Sequence, residues 1–102
     1  ERVSVSGTVY EGDGPEVRLF TKHQCTLCDK VKDVLQAVKA EHPHSLVAVD
    51  ITDPENQEWW DRYKYDIPVL HVGASYWTKH KLDAAEAVAA LTEARGGAFA
   101  ER

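Results

Sequence analysis

The sequence predicts an α/β domain of element order βαβαββα, a mixed four-stranded sheet covered by three helices. Three observations carry that expectation. A short β-prone run, Val17-Arg18-Leu19-Phe20, hands over to a helical pattern at Cys25-Thr26-Leu27-Cys28. After the break Glu41-His42-Pro43-His44-Ser45 comes a nearly continuous apolar run, Leu46 to Ile51, as a buried strand of a right-handed parallel βαβ unit requires. The second half then offers a Gly73-Ala74-Ser75 turn between two β-prone stretches and an alanine-rich closing segment, which reads as an antiparallel hairpin followed by a helix.

Each element has its own local reason. Residues 1–15 carry Val3, Val5, Val9 and Tyr10 and end in Glu11-Gly12-Asp13-Gly14-Pro15. That turn cluster marks a boundary, so the segment reads as an N-terminal arm or tail ahead of a domain over residues 16–95. Residues 96–102 are expected as a C-terminal tail. From Thr26 to about Ala40, Leu27, Val31, Val34, Leu35 and Val38 form one helical stripe, with Lys30, Lys32, Asp33, Gln36 and Lys39 on the other side. Thr52 and Glu55 have capping-box spacing and Pro54 suits a first turn, so a second helix is expected to about Tyr65. It would bury some combination of Trp59, Trp60 and Tyr63. These rings are read as core packing rather than as a stacking platform for a ligand. Pro68 opens a strand at a position where its missing N–H is tolerated, and Tyr76-Trp77-Thr78-Lys79 returns. Asp83 is the expected N-cap of the last helix, Ala84 to Arg95, with Val88 and Leu91 facing the core and Gly96-Gly97 ending it.

Composition narrows the function. The chain has 102 residues, 43% of them hydrophobic, three tryptophans and a net charge of −5, which fits one folded domain. No basic stripe interleaved with aromatics marks a nucleic-acid surface. No apolar run approaches the roughly 20 residues of a membrane span. Two cysteines are too few for a secreted disulfide scaffold, so a cytoplasmic or other reducing compartment is expected. The chain begins at Glu1 and contains no methionine. It reads as a processed or excised piece, and an organelle is compatible with a transit peptide removed upstream.

Both cysteines lie in the stretch Thr21 to Lys30. Residues three apart on a helix share a face, with Cβ atoms about 5–6 Å apart. That is close to disulfide reach. At the helix start Cys25 would meet unpaired N–H groups and the positive end of the macrodipole, which favour an anion by about 0.3–2 kcal/mol. Lys22, within about 6 Å, would add roughly 1 kcal/mol at an effective dielectric of about 60. Both act to lower the thiol below its free value of about 8.5. A moderately activated, exposed thiolate is what disulfide exchange needs, and Cys28, one turn further in, is placed to resolve a mixed disulfide. The other readings are weaker. A closed zinc site needs four ligands, and beyond the pair only His23, His42, His44, His71 and His80 are candidates, without a second metal-type spacing, so no metal is expected. A purely structural disulfide would close a loop too short to reduce chain entropy much. His23, two residues before Cys25, reads as exposed and unpartnered.

The cysteine position and element order resemble the thioredoxin superfamily, and Leu19-Phe20-Thr21-Lys22-His23-Gln24-Cys25 resembles a glutaredoxin, with a lysine three before the first cysteine. The Trp-Cys-Gly-Pro-Cys of thioredoxins is absent. Cys25-Thr26-Leu27-Cys28-Asp29, Val49-Asp50-Ile51 and Tyr65-Asp66-Ile67-Pro68-Val69 are similar to small glutaredoxin-like proteins of poorly defined function, over about Val17 to Leu91. The resemblance implies a cis peptide at Ile67–Pro68 packed against the cysteines, Cys25 as attacking and Cys28 as resolving thiol, and glutathione as reductant rather than a tightly bound cofactor. It implies that Ile67 pairs its backbone with glutathione, that Lys22 meets a carboxylate of it, and that Asp83 supplies an acid for its γ-glutamyl end. The expected partner is a disulfide-containing protein or a glutathione mixed disulfide, met by a monomer. Two departures stand out. Thr26-Leu27 replaces the usual Pro-Tyr, and Tyr76 to Asp83 lacks the Gly-Gly pair that precedes the last helix in glutaredoxins. Two other readings share the fold: a non-catalytic module for partner docking or an iron–sulfur cluster, and a degenerate redox domain.

Overall fold

The strands of the protein, in a computed structural model describing residues 3–101, are Gly7–Tyr10 (β1), Glu16–Thr21 (β2), Ser45–Asp50 (β3), Val69–Val72 (β4) and Ser75–Lys79 (β5). The helices are Thr26–Val38 (α1), Gln57–Tyr63 (α2) and Ala84–Arg95 (α3). One mixed sheet of order β1-β3-β2-β4-β5 results. β2 and β3 run parallel, from Glu16 opposite Ser45 to Thr21 opposite Asp50, which is the expected crossover through α1. β4 lies antiparallel to β2 and to β5.

The sheet has five strands, where four were expected. The segment read as an arm contributes β1, antiparallel to β3 with Gly7 opposite Ala48 and a register shift between Thr8 and Tyr10. Its return to β2 passes tightly over the β3 entry. A Cβ on Gly12 would lie 2.5 Å from the His44 carbonyl oxygen, and one on Gly14, at φ 99°, 2.5 Å from that of Pro43. Only glycine allows that approach. Tyr10 hydrogen-bonds His44 Nε2 while His44 Nδ1 donates to the His42 carbonyl at 2.9 Å, and burial pushes the Tyr10 phenol up to about 12. Upstream, Ser4 and Ser6 hydroxyls donate to Asp53 Oδ2 at 2.6 and 2.8 Å, and the Val5 N–H donates to Asp50 Oδ2 at 3.1 Å.

The second helix also differs from expectation. Thr52 spends its hydroxyl on Asp50 Oδ1 at 2.6 Å, so the Thr52–Glu55 capping box does not form. Asp53 precedes a 3₁₀ turn over Pro54–Asn56, and α2 ends at Tyr63.

Strand alternation sends side chains to two cores. Val17, Leu19, Leu46 and Leu70 point to the face covered by α1 and α3, where Val31, Leu35, Val38, Ala87, Ala90 and Leu91 meet them. Val88 packs on the edge of this core, half-buried, and Leu91 sits inside it. Phe20 and Val69 point the other way, to Tyr63 with Trp59 and Trp60 packed alongside. Asp83 caps α3: its Oδ1 accepts the Glu86 N–H at 2.8 Å, and Glu86 Oε1 accepts the Asp83 N–H at 3.1 Å. Among the described residues no helix is long and apolar enough to cross a membrane.

Candidate functional site

The parallel pair β2/β3 ends at Thr21 and Asp50, and the chain leaves β2 through Lys22-His23-Gln24 to reach α1. Gln24 takes φ 60° there, a left-handed turn uncommon for a residue with a Cβ. That turn sets Cys25 at the N-cap of α1 in an extended conformation. Cys25 Sγ accepts the Cys28 N–H at 3.2 Å. An N-cap side chain normally satisfies one of the four orphan donors with an oxygen. Here a sulfur does it.

Cys25 and Cys28 are disulfide-bonded, with Cα atoms 5.2 Å apart. Their exposures differ. Cys25 is half-buried at the rim and Cys28 is 1% exposed, one turn inside and part of the α1/α3 core. An incoming group reaches Cys25 first. Lys22 and His23 are exposed on the approach, and Lys22 makes no ion pair among the described residues.

The Ile67–Pro68 peptide bond is cis. Pro68 is buried, and Ile67 packs against both cores, sharing the α1/α3 one with Cys25 and Cys28. Its backbone makes no hydrogen bond among the described residues outside the regular elements. On the next wall the Pro68 carbonyl accepts the His80 N–H at 2.7 Å, and His80 holds φ 73°. The loop after β5 is thereby tied to the cis-proline loop. No pattern in the sequence marks this clamp, because a left-handed histidine has no composition signal. Tyr65, just ahead of the cis-proline loop, is 85% exposed.

Leu27 also departs from expectation. Its helical spacing suggested the core, yet it is 47% exposed. It stands in the first turn of α1. Asp83 has Oδ1 committed to the capping box. Among the described residues no three His, Cys, Asp or Glu side chains converge to hold a metal ion.

A βαβ-led sheet with a Cys-x-x-Cys pair capping its first helix, facing a cis-proline loop, defines the thioredoxin-like class. Within it, the glutaredoxin-like domain family (DUF836) matches residues 16–92, and the chain belongs to that family. It is also 30% identical over 71 residues to the glutaredoxin-like protein YDR286C homolog of Dictyostelium discoideum, covering 66% of this chain and 66% of that protein. The match thus spans just under two thirds of the relative's length.

Proposed function

We propose that this chain is a dithiol–disulfide oxidoreductase in which Cys25 attacks and Cys28 resolves. One observation carries the reading: Cys25 Sγ is the acceptor for the Cys28 N–H at the α1 N-terminus, while Cys28 Sγ is shielded behind it. In the reduced chain a Cys25 thiolate keeps that hydrogen bond and the positive helix end, so the nucleophile forms at the accessible sulfur. The thiolate attacks one sulfur of a substrate disulfide, forming a mixed disulfide and expelling the other sulfur as a thiolate. Cys28 then loses its proton and attacks Cys25 Sγ, which closes Cys25–Cys28 and releases the second substrate thiolate. Two electrons pass from the dithiol to the substrate.

Glutathione is the reductant this reading favours. Ile67 would pair its backbone with the tripeptide beside Pro68, Lys22 would receive a carboxylate, and Asp83 would meet the γ-glutamyl end with the oxygen its cap leaves over. The substrate is a protein disulfide or a glutathione mixed disulfide, and the protein works as a monomer in a reducing compartment. The test is turnover of a mixed-disulfide substrate. Cys25→Ser abolishes it, whereas Cys28→Ser traps the mixed disulfide on Cys25. Near wild-type turnover by Cys25→Ser refutes the mechanism.

A further inference from the structure

Leu27 stands between the two cysteines but takes no part in the exchange chemistry. With Lys30, Val31 and Val34 it forms one wall of a groove of about 280 Å³, and Lys81 and Leu82 from the loop after β5 form part of the other. Residues 27, 30, 31 and 34 share one helix face, so this wall runs roughly 10 Å along α1 from the level of the dithiol. The floor is apolar: Val31 and Leu82 are buried. Its mouth is cationic. Lys30 and Lys81 are exposed and neither is ion-paired among the described residues, although the chain as a whole carries −5. His80 also lines the groove, and its N–H bond to Pro68 ties that wall to the loop where a substrate backbone would pair.

The volume lies just below the roughly 300–1,000 Å³ of pockets for whole small molecules and suits one or two side chains. We propose that this groove is a side-chain subsite for a polypeptide substrate. An apolar side chain two or three residues from the substrate's reactive cysteine enters it, and a neighbouring acidic residue meets Lys30 and Lys81. The distance follows from chain reach, since about 10 Å is spanned by three extended residues. Glutathione, built from glutamate, cysteine and glycine, has no apolar side chain to fill it. The inference rests on the dithiol reading and narrows its substrate class to protein disulfides with an apolar-acidic flank.

The test uses the full chain carrying Cys28→Ser. Short peptides whose cysteine is activated as a thionitrobenzoate mixed disulfide are attacked by Cys25; thionitrobenzoate leaves and a Cys25–peptide disulfide forms. One peptide carries Leu and Glu two and three residues from its cysteine. A second has Ser for Leu, and a third has Lys for Glu. The adducts are equilibrated in mixtures of the peptide thiols. The Leu-Glu peptide is expected to hold Cys25 about tenfold over the Ser peptide, as burial of most of a leucine side chain implies. It should also shift the methyl resonances of Val31, Val34 and Leu82. Its preference over the Lys peptide should reverse in Lys30→Glu/Lys81→Glu. Equal occupancy by all three peptides, or unmoved groove methyls, overturns the proposal. Because activation forms the adduct whatever the rate of natural turnover, groove preference without turnover refutes the oxidoreductase reading alone. Turnover without preference refutes the groove alone.

Discussion

The two faces of the sheet solve the same packing problem with different chemistry. On the α1/α3 face the core is mainly aliphatic, from Val17 and Leu19 to Leu35 and Leu91, with Cys28 built into it. On the α2 face Phe20 packs against Trp59, Tyr63 and His71 with ring centroids 4.7, 5.2 and 4.6 Å away. There Tyr63 Oη and His71 Nε2 are hydrogen-bonded at 2.8 Å. The aliphatic face owes its stability to volume and shape, and holds the helix that carries the dithiol. The aromatic face adds a buried polar pair, so its stability depends on which groups are protonated. The cysteine pair and the Tyr63–His71 pair thus lie on opposite sides of one sheet.

Leu35→Ala is the harshest test of that division. Leu35 is wholly buried in the aliphatic core, and its truncation should cost about 2–5 kcal/mol, read as a lowered urea midpoint at constant slope. Tyr63→Phe should cost less, about 1–3 kcal/mol, because it leaves His71 Nε2 without a partner among rings. If the order of the two costs were reversed, the contrast between the faces would fail.

The same pair sets a pH window. Burial lowers His71 below its ordinary 6.5, and Arg62 and Arg18 act in the same direction while Glu101 opposes them. Burial lowers His44 as well. The unfolded chain therefore takes up protons at a pH where the folded chain does not. This contribution to stability is complete above about pH 6.5 and is lost as pH falls from there towards the lowered folded values. Denaturation midpoints measured from pH 8 to 5 should fall on the acid side, and His71→Leu should flatten that slope. An unchanged slope would show that His71 does not contribute to the acid sensitivity.

Asp83→Ala should have a smaller effect, about 1 kcal/mol from loss of the cap. Glutathione-dependent turnover separates the two roles of Asp83. If the side chain only caps α3, Asp83→Asn should keep both stability and the KM for glutathione, since Asn caps comparably.

How legible these features were in the sequence depended on how local their causes are. The cysteine pair at a strand-to-helix handover, the α1 stripe and the Asp83 N-cap all rest on residues within one or two turns of each other. β1 does not. Three of its four residues are exposed, so no alternation marks it, and its partner β3 lies far along the chain. Thr52 looked like a helix cap because the competing acceptor, Asp50, becomes decisive only once β3 ends beside it. Leu27 has helical spacing but sits in the first turn of α1 and is 47% exposed, a fact of placement rather than of pattern. The His80–Pro68 clamp unites residues from two loops and a left-handed histidine, for which sequence offers no sign.

We propose that Cys25–Cys28 is a working redox couple and not a fixed staple. The most direct measurement is its reduction potential, obtained by equilibrating the chain in glutathione buffers and trapping free thiols. A reversible couple at about −200 to −230 mV, the range of glutaredoxins, is the expected result. A value below about −300 mV, where structural disulfides lie, would contradict it, as would failure of the pair to form a reversible disulfide at all.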